Sequence, residues 1–262
     1  MRLSLIASPR VLLVALAIAL WPVWRWYALR TCDGSDEPYG LIALATLAVV
    51  LVRNGMELPR SEKRIVCAAI LLGVYALLFR VMSPLPRALV AVAAVATLVF
   101  RRQSLVANAA LLGLSLPVVA TVQFYLGYPL RVIAAEASVI ALRALDFAVT
   151  REGTLLHWRG ETIMVDAPCG GVRMLWFGIY LAAALAAFSQ LGNRRSLFAL
   201  IAAVFLVVGA NLVRATALFF KEARIVALPD WTHTGVGVVL FAGAIFILVR
   251  LTTGRTPWQS AT

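Results

Sequence analysis

Three side chains carry most of the chemistry this chain can offer: a thiol, a guanidinium and an imidazole. Cys169 lies in Asp166-Ala167-Pro168-Cys169-Gly170-Gly171-Val172-Arg173-Met174, a polar, glycine-rich stretch that opens into the apolar run Leu175 to Phe188. Pro168 suits the entry to a helix, and Gly170 and Gly171 let another chain come close to the sulfur. Peptide dipoles at a helix start favour the thiolate, and Arg173, one turn on, adds positive charge. Arg214 does not flank its helix, because Ala215 to Phe220 continues the apolar run beyond it. An arginine there is costly without a function or a route to water. Asn211, three residues earlier, shares its face and is placed to orient the guanidinium. His233 stands in Trp231-Thr232-His233-Thr234-Gly235-Val236-Gly237, before the last apolar run. A nucleophile, a base and a cation that stabilises a thiolate or an oxyanion are the parts of covalent acyl transfer. Each also has a plainer reading: a small buried hydrophobe, a snorkelling arginine, a solvated loop histidine.

The elements that hold these residues are membrane helices. A chain of 262 residues that is 62% hydrophobic cannot hide its apolar surface in one water-soluble core. The net charge of +12 would point to nucleic acid in a soluble protein. Here the basic residues fall between apolar segments, so they report topology, and no nucleic-acid partner is expected. GxxxxGK[ST], CxxC pairs and HExxH are absent, and only His157 and His233 supply imidazoles, so neither a metal centre nor a cofactor is expected. Three cysteines make no disulfide framework.

The expected spans are Val11–Leu29, Gly40–Val52, Ile65–Phe79, Ala88–Phe100, Leu105 to about Phe124, Val172–Ser189, Leu197–Phe220 and Gly235–Val249. The run at Val11 lacks a small-residue cleavage site and reads as an uncleaved helix. With the N-terminus in the cytoplasm, Arg53 to Arg64, Arg101-Arg102, Arg194-Arg195 and Arg250 to Arg255 all fall inside, and the acidic loop with Asp33, Asp36 and Glu37 falls outside. The fold expected is therefore an all-α polytopic membrane protein of about eight transmembrane helices. It forms one integral membrane domain over 1–262: helices one to five over 1–126, an extracytoplasmic segment over 127–168, and helices six to eight over 169–251. In the middle segment Pro129–Phe147 reads as an amphipathic helix, with Glu136 and Arg143 on its wet face. Val149–Val165 reads as a small β-hairpin with Arg159-Gly160 at its turn. Cys169, Arg214 and His233 then share one membrane depth on the outer side, although the topology made no use of them. Arg214 lies about 27 Å up a core about 30 Å thick.

Cys169-Gly170-Gly171 followed by Arg173, then Asn211-Leu212-Val213-Arg214, then His233 with Gly237 resemble the three signature blocks of the exosortase and archaeosortase family. The resemblance runs from about Leu111 to Leu251. It implies a membrane cysteine protease or transpeptidase of the bacterial inner membrane, acting on its extracytoplasmic face. The implied substrates are exported proteins with a C-terminal sorting tail: a short motif, typically Pro-Glu-Pro (PEP-CTERM), then a transmembrane helix and a basic cluster. Cys169 becomes the nucleophile that forms a thioester, Arg214 the essential arginine and His233 the acid/base. Arg173, Asn211, Gly170 and Gly171 support the site or bind substrate. An envelope acceptor of unknown kind, or water, releases the product, and membrane lipid is the other partner. Gly170 stands where the family usually has Ser or Ala, which leaves the subfamily and tail motif open.

Arg173 keeps three roles open: lowering the pKa of Cys169, contacting the substrate or anchoring at the headgroups. His157 is the rival imidazole, and Cys32 and Cys67 read as bland. Two other classes stand beside the enzyme: a small transporter with Arg214 on its path, and a non-catalytic assembly factor for an envelope polysaccharide system. A transporter should tolerate Cys169→Ala, and a scaffold should tolerate changes at all three positions.

Overall fold

Apolar runs with few breakers become helices throughout the computed structural model, which describes residues 9–34, 38–54, 61–165, 170–227, 229 and 231–253. Asp36, Glu37, Arg60, Arg255 and the stretch Asp166 to Cys169 lie outside the described residues. The helices are α1 (Pro9–Ala19), α2 (Trp21–Cys32), α3 (Tyr39–Asn54), α4 (Glu62–Leu77), α5 (Pro84–Val99), α6 (Leu105–Leu114), α7 (Val119–Ala144), α8 (Val172–Phe188), α9 (Asn193–Glu222) and α10 (Thr232–Thr253). A sheet of β1 (Thr150–Glu152), β2 (Leu155–Trp158) and β3 (Glu161–Met164) stands between α7 and α8 in the chain. α7, α9 and α10 are long and apolar enough to cross a membrane, while α3, α5 and α8 are apolar but shorter. This is an all-α membrane protein with one small sheet.

The chain gathers into two compact units, Met1–Val118 with Ala186–Ser196 and Val119–Leu185 with Leu197–Thr262. In the first, the expected opening helix is divided at Leu20 into α1 and α2. The cause is Pro22, which lacks the N–H for Ile18 and crowds that carbonyl. The flanking bonds from Leu20 N to Leu16 O (2.9 Å) and from Trp24 N to Leu20 O (3.3 Å) survive, so the chain kinks and does not reverse. Leu20, Val23, Tyr75, Ala88, Ala91 and Leu116 form this unit's core. Asn193, which opens α9, accepts from Val106 N (3.1 Å) and donates to Arg102 O (2.6 Å). It thereby supplies the cap that α6 lacks at its own N-terminus.

The second unit departs most from the sequence reading. The expected fifth span ends at Leu114, and the chain restarts as α7 only at Val119, because Pro117 cannot continue the first helix. At about 1.5 Å per residue, α6 alone is too short to cross a bilayer. α7 then runs unbroken through Gly127-Tyr128-Pro129, so the end of the fifth span and the separate amphipathic helix are one helix of 26 residues. Proline has a helical φ and deletes only one hydrogen bond, which a packed helix tolerates. Asp146 closes α7 with φ 63°, while Phe147 N bonds Leu142 O (3.0 Å), a left-handed cap without glycine.

The expected hairpin is present, with Arg159 (φ 50°) and Gly160 (φ 85°) forming its two-residue turn. A third strand, β1, precedes it, and the order is β1-β2-β3 with both pairings antiparallel. Glu136 and Arg143 reach from α7 to the sheet: Arg151 Nε donates to Glu136 Oε2 (2.6 Å), and Arg143 Nε donates to Val149 O (2.9 Å). Leu156, Ile163 and Val165 bury one sheet face against Ala135, Val139 and Leu142 of α7 and Leu218 and Phe219 of α9. Trp158 stands edge-on to Phe219 at 6.0 Å, and Phe147 to Phe219 at 6.3 Å, so aromatic rings fasten the sheet to α9. Below this, Ala182, Ala199, Ala203 and Leu248 let α8, α9 and α10 approach closely.

Candidate active site

Gly170, Gly171, Asn211, Arg214 and His233 are placed by the end of a helix or by one helical face. Gly171 precedes α8 with φ +70°, a conformation that side chains disfavour. A Cβ there would stand 2.8 Å from Asn211 Cγ, so the absent side chain also makes room for α9. Leu175 N bonds Gly171 O (2.8 Å), which closes the first turn of α8. Gly170 is buried beside α7, where a Cβ would lie 3.3 Å from Gly127 O and 3.4 Å from Arg131 Cγ. The two residues that follow Cys169 are therefore held from both sides. Cys169 itself lies outside the described residues.

On α9, Asn211 and Arg214 are one turn apart and both buried, at 5% and 8% exposure. That burial argues against a snorkelling arginine. The guanidinium spans two elements. Its Nη2 lies 3.3 Å from His233 Nδ1 and 3.5 Å from His233 O, and its Nη1 points at Met174 Sδ at 3.9 Å. Arginine has no acceptor, so Nδ1 faces it with a lone pair and a neutral imidazole carries its hydrogen on Nε2. His233 is half-buried in the first turn of α10, where the sequence reading had a loop before the helix. Gly237, one turn on, makes this contact possible, since a Cβ there would stand 3.0 Å from Arg214 Nε.

A match to the model of the transmembrane exosortase family (Exosortase_EpsH) covers residues 9–250, nearly the whole chain. The chain belongs to that family. No curated protein and no solved structure matches it. The family match reaches through helices α1 to α6, which the signature blocks alone left unassigned.

Within this exosortase fold, Arg214 and His233 are in contact and Asn211 sits against Gly171, so α8, α9 and α10 meet at the three signature blocks. Arg173 is exposed on the first turn of α8. His157 is on the sheet, its Nδ1 3.1 Å from Thr162 Oγ1 and its Nε2 3.9 Å from Glu152 Oε2. Cys32 and Cys67 are exposed free thiols on α2 and α4. Beside His233 opens a cavity of about 260 Å³, lined by Leu156, Thr162, Ile163, Met164, Val165, Ala215, Leu218, Phe219, Glu222 and His233. Sequence reasoning missed Thr162, Met164 and Glu222 as cavity residues, and Met174 as a neighbour of the arginine. The strand pattern around Thr162 could have flagged its edge, but nothing local in the sequence marks the contact with α9.

Proposed function

We propose that this protein is a membrane cysteine transpeptidase or protease that removes the C-terminal sorting tail of exported proteins at the outer face of the bacterial inner membrane. The observation that carries the reading is the buried Arg214 guanidinium laid against the His233 ring, two polar groups from different helices at the end of an apolar run. A buried cation is retained at a cost that solubility or topology does not require.

The His233 ring turns its Nδ1 lone pair out of the contact with Arg214 and takes the proton of the Cys169 thiol. The ring becomes cationic and repels the guanidinium, which leaves Arg214 to stabilise the negative charge on the reacting groups. The thiolate attacks the carbonyl carbon of the scissile bond and its oxygen becomes an oxyanion. As the tetrahedral species collapses, the imidazolium returns its proton to the departing amine, the C–N bond breaks and a thioester to Cys169 remains. An amine or hydroxyl of an envelope acceptor, or water, then attacks the thioester and gives its proton to His233; the C–S bond breaks, the product leaves, and the imidazolium returns the proton to the Cys169 thiolate. Asn211 positions the loop through Gly171 and shares the buried face of Arg214.

A tagged exported protein with a C-terminal motif, helix and basic cluster, produced with this chain in cells, tests the reading by gel shift. Tail loss with the wild type and none with Cys169→Ala is the expected result. Equal tail loss with both would rule out the thiol as nucleophile.

A further inference from the structure

We propose that the outer edge of β3 binds the substrate's extended backbone beside the scissile bond as a fourth strand, an inference that rests on the proteolytic reading above. The pairing of the hairpin fixes which backbone groups are available. Trp158 and Glu161 close a two-residue turn and therefore exchange both hydrogen bonds, and the same parity holds for Leu156 with Ile163. The bond from Val165 N to Thr154 O at 2.9 Å continues that parity beyond the strand. Glu161, Ile163 and Val165 thus turn their N–H and C=O groups toward β2, and Thr162 and Met164 turn theirs away from it. β3 ends the sheet order, so these groups face outward.

What lies along that edge is the cavity that also contains His233. Four consecutive residues, Thr162 to Val165, line it. Neighbouring side chains on a strand point to opposite faces, so a space touched by all four reaches around the strand's edge. Its far wall is the last turns of α9, with Ala215, Leu218, Phe219 and Glu222, and the start of α10 at His233. An exposed strand edge normally invites unwanted pairing, and here it is short and walled in. An incoming strand would bond Thr162 and Met164 through alternate residues. One of its side chains would face the apolar wall of Leu156, Ile163 and Phe219, and the next would face Thr162 and Met164. The occupant that fits is therefore an extended peptide with an apolar side chain at one position. The edge continues in sequence toward Cys169, five residues after Met164.

The test uses full-length wild-type protein in lipid nanodiscs and a synthetic tail peptide, N-methylated at one residue at a time near the cleavage point. Two residues spaced two apart should each lose about tenfold in kcat/KM when methylated, while the residue between them changes little, because methylation removes the hydrogen bond to the edge and the methyl group also blocks the approach. Met164→Pro, which removes an outward N–H, should lower kcat/KM similarly, and its melting temperature reports whether the variant is folded. A wild type that cuts every methylated peptide equally well overturns the edge and leaves the proteolytic reading intact. A wild type that neither cuts nor binds the unmodified peptide overturns both.

Discussion

Gly237 lacks a side chain because Arg214 needs the space. It sits inside α10, where alanine would ordinarily stabilise a helix by about 1 kcal/mol. A Cβ would meet the guanidinium at 3.0 Å, so Gly237→Ala should leave thermal stability unchanged or raised while cutting tail processing at least about tenfold. A melt and a processing assay on the same preparation check both halves. Gly171 differs, since its φ of +70° and its contact with Asn211 both require glycine. The candidate residues were legible at this scale. Cys169, Arg214 and His233 were marked by polar types in apolar surroundings, and Asn211 by helical spacing from Arg214. The arginine–histidine contact was not legible, because it joins α9 to α10 through a rotamer and a missing Cβ. Neither feature has a local signature in the sequence.

At the scale of elements, breakers were legible as residues but not as outcomes. Pro22 and Pro117 interrupt helices, whereas Pro129 sits inside α7 without ending it. The sequence around Pro129 also holds a glycine and a change from apolar to charged residues, so it reads as a boundary. The residues that follow it on α7, from Ala134 to Leu142, pack against the sheet and α9, and the helix runs on through the proline. The third strand escaped notice because β1 is three exposed residues with no alternation of burial. What fixes the sheet is the aromatic cluster of Phe147, Trp158 and Phe219. Phe219 is 1% exposed, and Phe219→Ala should cost about 3–5 kcal/mol of the local packing. Limited proteolysis should then cut faster between β1 and β3 than in α9, and tail processing should fall although Arg214 and His233 are untouched.

At the scale of the whole molecule, the charge pattern and the family match meet in one account. The topology proposed from the positive-inside distribution has Arg194 in the cytoplasm and the sheet outside. In a background without the native cysteines, Arg159→Cys should react with a membrane-impermeant maleimide on intact cells, and Arg194→Cys only after permeabilisation. The reverse labelling would invert the topology and place the candidate site on the wrong face for an exported substrate. The family was legible because its signature blocks are polar islands, and the match over residues 9–250 extends it across the helices that carry no such islands. The number of spans was less legible, because α6 and several other helices are shorter than a bilayer and hydropathy does not say how they are shared. The central claim is covalent catalysis by Cys169, and intact-mass analysis of purified protein quenched in acid after mixing with a tail peptide tests it most directly. The account predicts a hydroxylamine-labile adduct, equal to the acyl portion of the peptide, on wild-type protein and none on Cys169→Ala. Cleavage of the peptide by Cys169→Ala at the wild-type rate would contradict it.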